Sequence, residues 1–280
     1  MTRRLAAIVG LVLVVAGCSF WEDETPPSGF VTGTSRHTIT IGGHDRTYRL
    51  YKPAGLPASA PLVVMLHGYS GSGKQAEKDY QWDGLADSGR FVVVYPDGLN
   101  RAWNVNGESC CGRSGREGVD DVGFISAAIA EVVDNVGINR ARVYAAGMSN
   151  GGIMSYTLAC ATDIFAAIGP VAGIQLTPCR SPHPTSVMAV HGTADRLVPY
   201  GGGQGFSFIN SPSVPDVNAF WRSVDQCGAP AITTNGPVIT STAACADNRG
   251  AVLITVDQGG HEWPPFATGT LWEFFATHSR

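Results

Sequence analysis

The stretch Arg142-Val143-Tyr144-Ala145-Ala146-Gly147-Met148-Ser149-Asn150-Gly151-Gly152 decides the fold. Residues 142–146 read as a strand, and Gly152 to Cys160 reads as a helix. A G-x-S-x-G pattern between the two is a sharp strand-to-helix turn that lifts a serine hydroxyl above a sheet. The turn is too tight for side chains at its glycines, and it holds the serine at strained backbone angles. In a chain with 35 glycines the pattern alone is weak. Its weight depends on partners elsewhere in the chain.

Working outward, Pro61 to His67 (PLVVMLH), Phe91 to Tyr95 (FVVVY), Ala166 to Val171, Ser186 to Val190 and Ala251 to Val256 are continuous apolar runs. Such runs mark strands buried on both faces. His37 to Ile41 and Thr47 to Tyr51 alternate, with Gly42-Gly43 between them. Apolar residues from Val122 to Val136 repeat at helical spacing, which predicts a helix over 121–136. Asp120 and Asp121 stand at its start, where carboxylates meet free N–H groups. Further helices are expected over Val214 to Val224 and Leu271 to His278. Buried strands alternating with helices give an α/β fold: a mostly parallel sheet, helices on both faces, no large lid.

Ligands of open α/β sheets bind at the carboxyl ends of the strands. Four loops meet that rim: His67-Gly68-Tyr69, the Ser149 turn, His191 to Asp195, and Gly259 to Trp263. A serine hydroxyl needs a base, and histidine titrates near neutrality. His191 ends a strand, where packing or a loop hydrogen bond is its expected task, whereas His261 lies in a glycine-flanked loop and is the preferred base. Asp195 is the preferred orienting acid, with Asp247 and Asp257 as alternatives. The order Ser149, Asp195, His261 is that of α/β-hydrolases. Oxyanion donors would be the backbone N–H groups of Asn150 and Tyr69, their side chains having no part in that step.

Gly68 to Lys74 also fits the phosphate-loop pattern G-x-x-x-x-G-K. Position 75 is glutamine, which lacks the hydroxyl that holds magnesium, so the glycines are read as an oxyanion loop.

The N-terminus carries Arg3 and Arg4 and then an apolar run, Leu5 to Ala16, of about 12 residues. That is too short to span a bilayer core of ~30 Å as a helix. It ends in Val15-Ala16-Gly17-Cys18, which resembles a bacterial lipobox with Cys18 as the lipidated residue. Residues 1–17 are therefore expected to be a signal peptide and 18–35 a tether rich in proline, acids and small residues. Residues 36–280 are expected to be one catalytic domain, exported and held at the outer face of the membrane, or secreted.

Net charge is −4 with no basic cluster, which disfavours nucleic acid. Cys18 apart, six cysteines remain, an even number that suggests disulfides in an exported chain. Fifteen connectivities are possible. Short loops favour Cys227–Cys245 and then Cys160–Cys179, and a vicinal Cys110–Cys111 bridge would complete the set. Neither C-x-x-C nor H-E-x-x-H spacing occurs, so no zinc site is expected.

LHGYSGSG (66–73), YPDG (95–98), CCG (110–112), VDDVGF (119–124), GMSNGG (147–152), HGTAD (191–195), VPY (198–200) and GGHEWP (259–264) occur in one order over much of the chain. Together they resemble the polyhydroxybutyrate-depolymerase-like and feruloyl/acetylxylan esterases of the α/β-hydrolase superfamily. The resemblance implies carboxylic-ester hydrolysis through an acyl-enzyme, without metal or cofactor, on Ser149, Asp195 and His261. It also implies that Trp103 and Trp263 line the acyl or sugar site. The chain ends at Arg280, soon after the closing helix. Soluble oligomers, feruloyl or acetyl sugar esters, or small lipid-like esters are therefore expected rather than crystalline polymer, on a monomeric enzyme. An acyltransferase with the same triad, or a ligand-binding lipoprotein on a hydrolase scaffold, are the competing readings.

Overall fold

The computed structural model describes residues 29–105, 110–206 and 210–280. The expected signal peptide, Cys18 and most of the tether lie outside the described residues.

The strands are β1 (Gly33–Ile41), β2 (His44–Lys52), β3 (Ala60–Leu66), β4 (Val92–Pro96), β5 (Ile138–Met148), β6 (Ala167–Val171) and β7 (Ser186–Gly192). Then come β8 (Gly203–Gln204), β9 (Asn210–Ser211), β10 (Ala231–Asn235), β11 (Val238–Ala244) and β12 (Gly250–Val256). All but β8 and β9 form one 10-stranded sheet in the order β1-β2-β4-β3-β5-β6-β7-β12-β11-β10. Its middle, β4 to β12, is parallel, with antiparallel pairs at both edges.

The described residues also form seven α-helices: α1 (Gly73–Tyr80), α2 (Trp82–Gly89), α3 (Gly112–Arg116), α4 (Asp121–Val136), α5 (Asn150–Ala161), α6 (Val214–Val224) and α7 (Ala267–Ala276). α4, α5 and α6 cover one face of the sheet, burying Phe124, Ile153 and Trp221 against Leu62, Val64 and Ala145. α1, α2 and α7 cover the other, burying Trp82 and Phe275 against Val63, Val93 and Tyr144. That double cover is why β3, β4, β6 and β7 are buried at every position and read as unbroken apolar runs.

The two aspartates at the start of α4 divide their work. Asp120 caps the helix, accepting from the Gly123 N–H at 2.8 Å. Asp121 does not cap. It is buried, pairs with Arg46 at 2.6 Å and accepts from the Asn104 N–H at 2.7 Å. It thereby ties β2, the strand next to the sheet edge, to the loop that follows β4. All three expected disulfides are present: Cys110–Cys111, Cys160–Cys179 and Cys227–Cys245.

Candidate active site

Ser149 joins β5 to α5 at φ 55° and ψ −118°. A non-glycine residue held there costs about 1–3 kcal/mol. The turn is locked by the Ser149 N–H donating to Val171 O at 2.8 Å and by Ile153 N–H donating to Ser149 O at 2.9 Å. The flanking glycines provide space. A Cβ on Gly147 would run into the carbonyl of Gly151, and one on Gly151 into that of Leu66.

His261, in the loop after β12, places Nε2 2.8 Å from Ser149 Oγ and Nδ1 2.8 Å from Asp195 Oδ2. Asp195 sits in the loop after β7 and is buried. Its other oxygen, Oδ1, accepts from the N–H groups of Leu197 and Val198 at 2.8 and 2.9 Å. Burial by itself would raise the Asp195 pKa. Hydrogen bonds from His191, His261 and the Val198 N–H outweigh it and hold the carboxylate well below its ordinary range. The two loops are fastened together, with Thr193 N–H donating to Val256 O and Ala194 N–H to Gly259 O, both at 2.9 Å.

The remaining candidates have other partners. Asp257 accepts from the Thr193 hydroxyl, and Asp247 pairs with Arg249. His191 is buried, with Nε2 2.8 Å from Val198 O and 3.3 Å from Asp195 Oδ2. His67 acts on the loop that follows β3. Its Nε2 accepts the Gly98 N–H at 2.9 Å, so the ring proton lies on Nδ1 and is donated to Gly68 O at 2.8 Å. Burial lowers the His67 pKa and keeps that ring neutral.

Ser149 and His261 open into a cavity of about 440 Å³, walled by Tyr69, Tyr80, Ile153, Leu197 and Phe206 among others. Its size is ordinary for a small-molecule site. Tyr69 and Asn150 both border it. Asn150 opens α5, whose first N–H groups have no acceptor within the helix. Its side chain is also engaged: Oδ1 accepts from Trp103 N–H at 2.7 Å, and Nδ2 donates to Trp103 O at 3.2 Å.

Trp103 does not line the cavity. It is 0 % exposed, lies tilted against the His67 ring with centroids 4.7 Å apart, and donates Nε1–H to His67 O at 2.8 Å. Trp263 lies behind Tyr80, its ring 4.5 Å from the tyrosine ring, and donates to Thr268 at 3.1 Å. Both tryptophans support the wall. Of the residues that form it, Tyr69 belongs to the LHGYSGSG stretch, whereas Tyr80, Leu197 and Phe206 lie in no motif of the sequence. The phosphate-loop alternative fails on geometry. The Gly73 N–H at the start of α1 donates to the Asp97 carboxylate at 2.7 Å, which occupies the place an anion would take. Among the described residues no group of three or more His, Cys, Asp or Glu side chains could hold a metal ion.

A parallel sheet with Ser149, Asp195 and His261 meeting at its carboxyl rim is the α/β-hydrolase arrangement, and the protein is a carboxylic ester hydrolase. The family model described as "Esterase PHB depolymerase" matches residues 46–201, and the chain belongs to that family. It is 30% identical over 259 residues to feruloyl esterase C of Emericella nidulans, covering 85% of this chain and 87% of the relative. It is 30% identical over 219 residues to feruloyl esterase B of Piromyces equi, covering 72% of this chain and 40% of that one. The acetyl xylan esterase from Aspergillus awamori shares the fold with a TM-score of 0.65 at 16% identity, over 87% of this chain and 99% of that structure.

Proposed function

We propose that this esterase works through an acyl-enzyme on Ser149. His261 Nε2 takes the Ser149 proton as Oγ attacks the ester carbonyl. The resulting oxyanion is met by the N–H groups of Asn150 and Tyr69. Collapse breaks the bond to the alcohol, which leaves with the proton from His261. Water then repeats the sequence, releasing the acid and restoring Ser149. Asp195 holds the imidazole in one tautomer and stabilises its cation without taking its proton. The observation that carries this reading is the unbroken chain Ser149 Oγ–His261–Asp195, 2.8 Å at each link.

The acyl group proposed is a feruloyl or acetyl ester on a sugar, or a 3-hydroxybutyrate oligomer. The feruloyl and acetyl xylan esterases among its relatives support the first two. A fluorophosphonate should label Ser149, and the protein should hydrolyse short p-nitrophenyl esters. Absence of label on native protein, under conditions where a known serine esterase is labelled, overturns the mechanism. An ester panel ranked by kcat/KM then identifies the substrate.

We further propose that residues 1–17 are removed, that Cys18 is lipidated, that 18–35 tether a monomeric domain, and that this domain works outside the cell. Three disulfides support an oxidising compartment. A Cys18→Ala variant should leave the membrane fraction. Retention there, with no lipid mass on Cys18 in the wild type, overturns the anchor.

A further inference from the structure

The Cys110–Cys111 disulfide is the one bridge at the active site among the described residues. Cys111 borders the cavity beside Ser149. Cys110 Sγ lies 3.9 Å from Asn150 Nδ2, on the same amide that clamps the Trp103 backbone. Gly112, the next residue, packs closely against the Tyr69 ring. A Cβ there would stand 2.9 Å from Tyr69 Cε2 and 3.2 Å from its hydroxyl. The segment 110–112 thus touches the side chains of Asn150 and Tyr69, the two residues whose N–H groups face the oxyanion in the reading above.

Stabilisation of the fold gives little reason for this bond. A cross-link removes unfolded-chain entropy in proportion to the logarithm of the loop it closes. Cys160–Cys179 and Cys227–Cys245 span 19 and 18 residues, whereas Cys110–Cys111 spans 1. The effect of the vicinal bond is local. It fixes two sulfurs and the start of α3 as one wall element.

We propose that the Cys110–Cys111 disulfide is a positioning element of the oxyanion hole, setting the spacing between Asn150 and Tyr69 across the cavity, and that opening it slows turnover while the fold persists. This rests on the acyl-enzyme reading. A dithiol such as dithiothreitol opens the bond by two-electron exchange. Each cysteine gains one hydrogen, and the dithiol leaves as its cyclic disulfide.

The test is the double variant Cys110→Ala/Cys111→Ala, assayed for kcat and KM on p-nitrophenyl acetate, for fluorophosphonate inactivation, and for Tm. Losing one oxyanion donor outright costs about 10²–10³-fold in kcat. Displacing the pair should cost about 10-fold or more, with KM within about twofold. Fluorophosphonate inactivation should slow in parallel, because the phosphonyl oxygen uses the same donors. A folded double variant with wild-type kcat, or one that loses only KM, overturns the proposal. If wild-type protein takes no label at all, the acyl-enzyme reading falls instead.

Should the double variant not fold, wild-type protein is treated with graded dithiothreitol, and its free thiols are alkylated and mapped. Activity loss is expected to follow alkylation of Cys110 and Cys111. Full activity with both alkylated, or loss that follows only the other two bridges, overturns the proposal.

Discussion

His191 Nε2 stands 3.3 Å from Asp195 Oδ2, the same oxygen that meets His261 Nδ1 at 2.8 Å. The acid therefore faces two imidazoles. Because His191 Nε2 also lies 2.8 Å from the Val198 carbonyl, which can only accept, its proton is on that nitrogen. The ring braces both the carboxylate and the Val198 turn that feeds Asp195 two backbone donors. His191→Phe keeps the volume and removes the donor. A hydrogen bond to a charged group is worth about 1.5–3 kcal/mol, so kcat/KM should fall roughly 10-fold or more at pH 7. A variant that matches the wild type in kcat/KM and melting would show that His191 only packs.

Asp195 itself gives a two-part outcome. Asp195→Asn keeps the shape and should lower kcat about 10⁴-fold, since the amide no longer fixes the histidine tautomer. The folded carboxylate titrates below its unfolded value of about 3.9. Its contribution to stability is therefore complete above that value and is lost as pH falls through it toward the folded pKa. The Tm gap between wild type and Asp195→Asn should narrow below about pH 4. A gap that is constant from pH 3 to pH 7 would contradict the assignment.

Asp83 behaves in the opposite sense. Burial pushes its pKa up to about 7, ahead of the lowering effect of the Tyr95 hydroxyl, which donates to it at 2.5 Å. Its folded state holds a proton that the unfolded state releases near pH 4, so stability falls as pH rises from about 4 through about 7. Asp83→Asn should therefore gain on the wild type as pH rises. After discounting for solvent screening, about 1–2 kcal/mol of difference between pH 5 and pH 8 is expected, or a few degrees in Tm. Thermal melts at the two pH values decide it, and no divergence would mean that Asp83 titrates normally.

The legibility of the sequence followed burial. Strands covered on both faces announced themselves as apolar runs, and each was found within a few residues of its expected limits. The β10–β11 hairpin was not anticipated. β10 (AITTN) is exposed along its whole length at the sheet edge and so carries no alternation. The Ser149, Asp195 and His261 loops were readable because strand ends converge on one rim. Trp103 was misplaced because proximity to a motif does not reveal which way a side chain faces. Its indole turns inward to His67 O. The sequence pattern points only to the Asn150 N–H, whereas its buried amide also clamps the Trp103 backbone. That contact spans 47 residues and leaves no local trace.

The mouth of the cavity carries the last expectation. Phe206 and Tyr69 are about half exposed, with ring centroids 6.4 Å apart, and Leu197 lies exposed beside them. Large apolar side chains held in water around Ser149 are positioned to cover an apolar or aromatic substituent. A contact of this kind is felt equally by the bound ester and the transition state, so its loss raises KM and leaves kcat unchanged. An aromatic contact is worth about 0.5–1.5 kcal/mol, so Phe206→Ala should raise KM about 2–10-fold for an aryl-acyl ester. The acetyl ester, too short to reach the rim, should be nearly unaffected. Equal losses on both esters would show that Phe206 supports the loop and does not contact substrate.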